Sequence, residues 1–320
     1  MLQREITKGK LSVIIPFVNE YPQIAFTVQS IFCELEGRAD FEIICVDNFH
    51  KETMESQKRV EDRGFEYMSG LSKTNQWLIV DRYDKKLSHW QAKNHAVSLS
   101  SGEFLWFCDS HCVPSRDSVY PMFEYYRAHH HDLHGTLHLP LSYMLDRRGR
   151  ELIYKLVTDL EKAVVHYSFT EYRHYPQDKV VQVPCMSTCG MMMSREIFDE
   201  LGGWPTELGV YGGGENFINF TLAVLGYSIN IFPSPPLYHY AAPRGYNWWY
   251  DDFHRNRCIS SYMYGGEEFA KLYMKFVKGK QEILMRIYEE VIEKCRPHRM
   301  FLEPKIKLSI EEWVRRWAKS

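Results

Sequence analysis

Long apolar runs are absent from the 320-residue sequence, which limits the classes of protein to which it can belong. No stretch approaches the roughly 18 apolar residues that a membrane-spanning helix needs. Residues 1–10 are polar and lack the apolar core of a signal peptide. The Gly-x-Gly-x-x-Gly pattern of dinucleotide-binding oxidoreductases is also missing after the first predicted strand. We therefore expect a cytoplasmic protein without stable membrane insertion, and we discard a Rossmann oxidoreductase.

A strong excess of charge of one sign is missing as well. The net charge of −2 provides no general attraction to nucleic acid or anionic lipid. The charge is unevenly distributed, because residues 271–320 hold 13 Lys or Arg against 7 Asp or Glu. This basic C-terminal part either contacts a polyanion or consists of solvated helix faces, and both interpretations stay open.

Disulfide bonds are not expected, although the sequence has eight cysteines. Most of them lie in apolar, strand-like runs, as Cys45, Cys108 and Cys189 do, which is typical of buried thiols in a reducing compartment. The pairs Cys108/Cys112 and Cys185/Cys189 are each separated by three residues. A zinc site built from them is the less favoured alternative.

Apolar periodicity predicts alternating strands and helices. An apolar run at 11–16 is a buried strand, helical spacing follows at 22–36, and a second apolar run covers 41–47. Such a strand–helix–strand unit predicts an α/β fold with parallel strands. The same criteria predict the remaining elements, which are strands at 77–80, 103–108, 135–143, 180–183, 188–193 and 227–232, and helices at 51–63, 89–99, 119–131, 151–167, 194–201, 217–225 and most of 253–320.

Two potential metal ligands follow the apolar strand at 103–108. Asp109 and His111 are separated by one residue, so both side chains can leave the strand end in the same direction. Because ligands collect at the carboxyl ends of parallel strands, this pair is a candidate site for a divalent cation that binds a phosphate. Asp47 ends the second strand, where it can bond the base or ribose of a nucleotide. An ordinary loop carboxylate or helix N-cap is the competing interpretation of Asp47.

Other segments can border the same crevice. Lys93 and Asn94 lie in the predicted helix at 89–99 and can face it. A glycine-rich segment, 202–216, runs into a helix with Glu215 near its start. Residues 241–252 are rich in aromatic side chains and flexible at a glycine, a composition suited to a lid that closes over a ligand.

The order of these motifs resembles that of GT-A glycosyltransferases that use nucleotide sugars, and it is most similar to the polypeptide N-acetylgalactosaminyltransferase group. The matching motifs are Pro16 with Phe17-Val18-Asn19-Glu20, Val46-Asp47, Gly102-Glu103, Asp109-Ser110-His111-Cys112, Gly213-Gly214-Glu215-Asn216, and His239 after a proline-rich stretch. The resemblance covers residues 11–245. It implies a GT-A, Rossmann-like α/β fold with a mixed, mostly parallel central sheet flanked by helices.

A division of the chain follows from the same resemblance. A catalytic domain would span 1–245, with a nucleotide-binding half at 1–111 and an acceptor half with the lid at 112–245. Residues 246–320 would form a helical C-terminal extension.

The matching motifs also imply the site residues. Asp109, His111 and His239 would hold Mn²⁺, which is preferred to the alternative Mg²⁺ because imidazole is a poor ligand for hard magnesium. Contacts to a UDP-sugar donor would come from Pro16, Asn19, Glu20, Asp47, Lys93, Asn94 and Asp109. Arg244 would meet the diphosphate as the lid closes, since guanidinium matches phosphate geometry.

Glu215 and Asn216 bear on the stereochemistry of the implied reaction. An inverting transferase needs a carboxylate base for the acceptor hydroxyl, and inverting relatives carry an acid directly after Gly-Gly-Glu. Asn216 cannot act as a base, so the resemblance implies a retaining enzyme in which Glu215 bonds the sugar or the acceptor. Glu215, Asn216 and Arg244 are therefore the predicted catalytic residues.

The expected activity is transfer of a sugar from a UDP-sugar to a hydroxyl of a glycan or a lipid-linked precursor. An alternative acceptor is a hydroxymethylated pyrimidine in DNA, a substrate suited to the basic C-terminal part and to the aromatic lid. The side chains concerned are Arg255, Arg257, Tyr246, Trp248 and Trp249. An alternative of another class is a non-catalytic module that binds nucleotide sugars. The sequence predicts neither the transferred sugar nor the oligomeric state.

Overall fold

Two sheets, with helices packed against them, form the part of the chain that the structure describes. The computed structural model describes residues 5–18, 20–50, 62–143, 149–240 and 249–317. The strands are β1 (Thr7–Phe17), β2 (Phe41–Asp47), β3 (Leu78–Arg82), β4 (Gly102–Phe107), β5 (Cys112–Pro114), β6 (Gly135–His138), β7 (Leu141–Tyr143), β8 (Glu151–Asp159), β9 (Val164–Glu171), β10 (Val181–Val183), β11 (Met191–Ser194), β12 (Ser228–Ile231) and β13 (Leu237–His239).

Most helices begin and end close to the predicted residues. They are α1 (Gln23–Leu35), α2 (Arg63–Ser72), α3 (His89–Leu99), α4 (Val119–Leu133), α5 (Arg195–Leu201), α6 (Gly214–Val224), α7 (Tyr250–Phe276), α8 (Gln281–Leu302) and α9 (Ile310–Trp317). Ser88 caps α3 and Ser194 caps α5, each by accepting a hydrogen bond from a backbone N–H in the first turn. α7 is interrupted at Gly266, whose φ of 81° is not helical. Most of the helix predicted over 51–63 lies outside the described residues.

The larger sheet confirms the predicted α/β architecture with a mixed central sheet. Its strand order is β10-β12-β6-β11-β4-β1-β2-β3, and the strands from β4 to β3 run parallel. β11 is antiparallel to both β4 and β6. Since β1, β2 and β4 are parallel, their carboxyl ends at Phe17, Asp47 and Phe107 meet at one edge of the sheet.

The smaller sheet, in the order β5-β13-β7-β8-β9, contains a predicted element of the wrong type. The helix predicted over 151–167 is wrong, because β8 and β9 form an antiparallel hairpin there. β9 alternates Val165, Tyr167 and Phe169, β-branched and aromatic residues that favour a strand once a partner strand is available. The short turn at 160–162 that joins the strands ends at Ala163, which has a positive φ of 52°.

The helices α7 and α8 share a core with the strands. One apolar cluster contains Ile14 of β1 and Leu105 of β4 together with Ile259 of α7 and Tyr288 of α8. The predicted domain boundary at 245 therefore separates segments that bury apolar surface together, and the division stays a prediction. Among the described residues, no helix is both long enough and apolar enough to cross a membrane.

Candidate active site

A deep cleft of about 1070 Å³ opens where the carboxyl edge of the larger sheet meets the smaller sheet. Pro16 and Glu20 border it from β1 and the loop that follows, and Asp109 and His111 border it beyond β4. The smaller sheet supplies His239 and the β8–β9 hairpin, and α6 supplies Glu215. The three predicted metal ligands thus lie in one cavity, at the sheet edge where α/β proteins bind ligands.

The ligand-bearing atoms of Asp109, His111 and His239 all lie within 4.8 Å of one another. Strand pairing explains why His239, far away in sequence, joins the other two. β13 runs antiparallel to β5 with His239 opposite Cys112, and the Tyr240 backbone N–H donates to the His111 carbonyl at 2.9 Å. The two imidazole rings are 4.7 Å apart and nearly perpendicular, at 88°.

Charged neighbours set the protonation of this cluster. The Lys93 ammonium is 3.5 Å from Asp109, and His239 Nε2 is 3.5 Å from the other carboxylate oxygen. Although burial raises the pKa of Asp109, Lys93, His239 and His111 hold it well below its usual value. Burial has the opposite effect on an imidazole and by itself would lower the pKa of His111. The carboxylates of Glu20 and Asp109 have the larger effect and raise that pKa to about 9.

The donor set fits a divalent cation. One carboxylate and two imidazoles are ligands that Mn²⁺ accepts readily. The Nδ1 atom of His239 is buried and has no hydrogen-bond partner among the described residues, whereas Nε2 faces Asp109 at 3.5 Å, where an ion could bind both side chains. Both imidazoles have raised pKa values, so an ion must displace protons to bind there.

Glu20 holds one of these candidate ligands in place. Its Oε1 lies 2.8 Å from His111 Nδ1, and its Oε2 accepts a short hydrogen bond from the Ser110 hydroxyl. A carboxylate behind a histidine ligand fixes the ring orientation and the tautomer of the imidazole. The prediction of a donor contact by Glu20 stays untested, since the side chain still borders the cleft.

Glu215 sits at the first turn of α6 and faces the cleft. Its Oε1 accepts hydrogen bonds from the Ser187 hydroxyl at 3.1 Å and from the Thr188 backbone N–H at 3.2 Å, while Oε2 accepts from the Tyr154 hydroxyl at 3.3 Å. A β-carbon at Gly214 would lie 2.1 Å from the Trp90 ring, which explains the glycine that precedes Glu215. Helix α6 can therefore start deep in the site.

Three predicted site residues do not line the cleft. Asn216 is buried and donates from Nδ2 to the Val165 carbonyl at 2.9 Å, which fastens α6 to β9. Asn94 bonds the backbone of Trp204 in both directions. Asp47 is paired with Arg82 at 2.8 Å, yet burial, with Asp62 nearby, raises its pKa to about 7.

Some of the remaining predicted residues border the cleft, and others lie outside the described residues. Pro16 borders the cleft, and Lys93, only 1% exposed, lies between Asp109 and the Trp90 ring. The residue that borders the cleft at the end of β2 is Asn48, and not the neighbouring Asp47. Asn19, Arg244, Tyr246 and Trp248 lie outside the described residues.

The β8–β9 hairpin contributes site residues that the helix prediction missed. Tyr154 and Tyr167 stack with ring centroids 4.3 Å apart and 3° between planes, and His166 and Phe169 also border the cleft. Arg257 of α7 completes this wall. The alternation of aromatic residues in 164–169 was the available signal, because every second side chain of a strand lies on one face.

Three thiols meet directly behind the candidate metal ligands. The sulfur atoms of Cys108, Cys112 and Cys189 lie within 4.8 Å of one another, and those of Cys112 and Cys189 are 3.3 Å apart. The structure therefore brings together a set of cysteines that differs from the two predicted pairs, since Cys185 is not a member.

Sequence comparison matches more than half of the chain to a known family. The model of glycosyl transferase family 2 matches residues 12–202, more than half of the chain and the segment that carries Glu20, Asp109 and His111. The chain belongs to glycosyl transferase family 2. His239 and Glu215 follow the matched segment, so their assignment depends on the geometry described above.

Relatives of this family 2 chain include a protein of Drosophila melanogaster named polypeptide N-acetylgalactosaminyltransferase 13. It is 26% identical over 249 residues, which cover 72% of this chain and 42% of the relative. The chain thus spans less than half the length of this curated relative.

Solved structures show that the fold of this family 2 chain is shared. GalNAc-T7 with UDP, GalNAc and Mn²⁺ matches with a TM-score of 0.64 and 16% identity, over 90% of this chain and 56% of that one. Residues 1–349 of S. aureus TarS in complex with UDP-GlcNAc match with a TM-score of 0.54 and 12% identity, over 90% of this chain and 73% of that one. At these identities the likeness supports the GT-A fold and nothing finer.

Proposed function

We propose that this protein is a glycosyltransferase that moves a sugar from a UDP-sugar to an acceptor hydroxyl with retention of configuration, and that it requires Mn²⁺. The observation that carries the proposal is the convergence of Asp109, His111 and His239 within 4.8 Å at the rim of a cleft large enough for a nucleotide sugar. Family membership and the nucleotide-sugar complexes of similar folds support it.

Asp109, His111 and His239 would hold the metal in this proposal. When bound there, Mn²⁺ would neutralise negative charge that develops on the departing diphosphate. The residues of the chain do the rest: Glu20 orients His111, and Lys93 supplies a buried positive charge beside Asp109. Pro16 and the nearby Asn48 border the part of the cleft that would take the nucleotide, whereas Asp47 would first have to give up its contact with Arg82.

Retention is supported by what stands around Glu215. Its carboxylate already accepts hydrogen bonds from Ser187, Thr188 and Tyr154, so it is held in place to bond the transferred sugar or the acceptor hydroxyl. Asn216 points its amide at the Val165 carbonyl, and no carboxylate follows Glu215 where an inverting base would stand.

The leading acceptor is a hydroxyl of a glycan or of a lipid-linked precursor. A hydroxymethylated pyrimidine in DNA is the second candidate, favoured by the aromatic side chains Tyr167, Phe169 and Phe253 and by Arg257, which all border the cleft. A cytoplasmic location stays a prediction of the sequence.

A panel of nucleotide sugars tests the proposal. UDP release is measured with each donor, with and without Mn²⁺, and the anomeric configuration of the product is read by NMR. We expect release from at least one UDP-sugar, dependent on Mn²⁺, and an α-linked product from a UDP-α-sugar. A β-linked product would contradict retention, and absence of release from every donor would support a binding module instead of an enzyme.

A further inference from the structure

Arg257 is unusual among the charged side chains of the cleft. Of the Lys and Arg side chains that border the cleft in the described ranges, Lys93 pairs with Asp109, whereas Arg257 pairs with no described carboxylate. Arg255, two residues earlier on the same helix, pairs with Glu290 at 2.6 Å. A guanidinium placed in a cleft without a counter-ion is poised to accept an anion.

Contacts with His166 satisfy only some of the N–H donors of Arg257. The guanidinium contacts both nitrogens of His166, from Nη1 to Nδ1 at 2.8 Å and from Nη2 to Nε2 at 3.3 Å. A neutral imidazole accepts through one nitrogen only, so one of these contacts cannot be a full hydrogen bond. The buried Nε of Arg257 has no partner at all among the residues that the structure describes.

His166 adds no negative charge to offset this arginine. Burial, followed by the charge of Arg257, lowers the pKa of His166 to about 4, which leaves the ring neutral near pH 7. The Arg257–His166 pair therefore carries one net positive charge into the cleft.

The pair lies close to Glu215, because Val165, the residue before His166, accepts a hydrogen bond at 2.9 Å from Asn216, the residue after Glu215. Tyr167, the residue after His166, stacks on Tyr154, whose hydroxyl donates to Glu215 at 3.3 Å. Flat apolar surfaces surround the pair, since the Arg257 guanidinium is 5.1 Å from the Phe253 ring centroid and Phe169 is 47% exposed at the rim. Among the described residues, no hydrogen bond or ion pair joins Arg257 or His166 to Asp109, His111 or His239, which would take the donor diphosphate in the proposed function.

We propose that Arg257 and His166 form an anion-binding subsite that holds a phosphate ester of the acceptor beside the hydroxyl that receives the sugar. This proposal depends on the proposed glycosyltransferase function and adds the chemical class of its acceptor. The phosphate of a lipid-linked saccharide and the backbone phosphate of a nucleic-acid strand share this chemistry. In either case the guanidinium contributes charge-assisted hydrogen bonds, and the neighbouring rings cover the adjoining apolar part of the acceptor.

Binding of matched charged and uncharged probes tests the subsite. The first pair is a short single-stranded oligonucleotide and its uncharged methylphosphonate counterpart. The second pair is a saccharide joined through phosphate to a short-chain lipid and the same saccharide as an uncharged lipid glycoside. Dissociation constants are measured with UDP and Mn²⁺ present, for the wild type, for Arg257→Met and for the control Arg127→Met, whose guanidinium pairs with Glu124 at 2.7 Å on α4.

We expect at least one charged probe to bind better than its uncharged counterpart, and the pair that shows this difference identifies the source of the phosphate. Arg257→Met should weaken that binding about tenfold or more, because charge-assisted hydrogen bonds are lost. Arg127→Met should bind like the wild type. For the oligonucleotide, Arg257→Met should also reduce the dependence of log Kd on log salt by about one.

Equal binding of charged and uncharged probes, or an unchanged affinity in Arg257→Met, would overturn the subsite. Arg257→Lys, which keeps the charge, guards against a folding defect: it should retain part of the affinity that Arg257→Met loses, and loss of all binding with an unchanged melting temperature would also contradict the proposal. UDP release is measured on the same samples. Absence of release with intact, Arg257-dependent probe binding would refute the proposed function and leave the anion subsite standing.

Discussion

Glu20 Oε1 lies 2.8 Å from Nδ1 of His111, with ninety residues of chain between them. The contact crosses from the loop after β1 to the loop after β4, the two segments that meet at the carboxyl edge of the larger sheet. The contact fixes the orientation of the His111 ring, and it leaves Nε2 of His111 directed away from Glu20. Glu20 therefore acts on the candidate metal site through His111.

Replacing Glu20 by Gln should weaken Mn²⁺ binding by about 10- to 100-fold, since partners behind a ligating histidine typically have effects of that size. The measurement is the Mn²⁺ concentration that gives half-maximal UDP release. Glu34→Gln is the control, because Glu34 is a carboxylate of α1 that accepts from backbone N–H groups at the start of α4 and contacts no candidate metal ligand among the described residues. An unchanged Mn²⁺ requirement in Glu20→Gln would show that His111 needs no such support.

Asn216→Asp should destabilise the fold without creating an inverting enzyme. The new carboxylate would face the Val165 carbonyl, to which the Asn216 amide now donates at 2.9 Å. A buried acceptor facing another acceptor costs about 1–3 kcal/mol. Denaturant unfolding measures the loss, and NMR of the product gives the anomer. A stable variant that makes the opposite anomer would place residue 216 in the chemistry.

Glu215→Gln should lower sugar transfer about a hundredfold or more while leaving UDP affinity nearly unchanged. The amide keeps the shape of the side chain but loses the charge that accepts from Ser187, Thr188 and Tyr154. The comparison of kcat with the dissociation constant for UDP separates the two effects. Tyr154→Phe, which removes one donor to Glu215, should produce a smaller decrease. A weakened UDP affinity with normal kcat would instead put Glu215 in the donor site.

His138 should make stability depend on pH. The neutral ring, with the proton on Nδ1, donates to the Ser187 carbonyl at 2.9 Å and accepts from the Thr136 hydroxyl at 2.8 Å. Burial lowers its pKa from 6.5 to about 3. Because the unfolded chain takes up the proton first, the contribution is complete above pH 6.5 and is lost as pH falls toward 3.

Between pH 6.5 and pH 4 this loss amounts to about 3 kcal/mol, at 1.36 kcal/mol for each pKa unit. Urea unfolding at both pH values measures it. His138→Gln should flatten this part of the pH dependence, whereas His131→Gln on the exposed end of α4 should leave it as in the wild type. An identical slope in wild type and His138→Gln would assign the pH dependence to other groups.

Secondary structure is predicted correctly from the sequence where the local apolar periodicity agrees with the contacts that the segment makes in the folded protein. The structure confirms the strands predicted at 11–16 and 41–47 and the helix predicted at 22–36. Each of these segments is apolar and shows a single, unambiguous periodicity. The helix prediction over 151–167 is wrong because local signals were not enough there. The strand conformation of this segment depends on pairing between β8 and β9 and on stacking of the Tyr154 and Tyr167 rings. Its cleft residues were missed together with it.

The candidate site divides in the same way. Asp109 and His111 follow from their position at a strand end, and His239 follows only from the resemblance, since pairing of β13 with β5 brings it near. The pairing of Asp47 with Arg82 and of Asn216 with Val165 could not be read locally, because each partner lies on another element. Arg257 reaches the site from α7, beyond the segment that the resemblance covers.

The most direct test of the account is Mn²⁺-dependent UDP release by wild-type protein and by Asp109→Ala, with Mn²⁺ binding measured by calorimetry on the same samples. Thermal melting checks the fold, because Asp109→Ala leaves the buried Lys93 without its carboxylate. We predict one Mn²⁺ per wild-type chain, UDP release that EDTA abolishes, and neither binding nor release in a folded Asp109→Ala. Release at the wild-type rate in EDTA, or in Asp109→Ala, would contradict the metal-dependent mechanism.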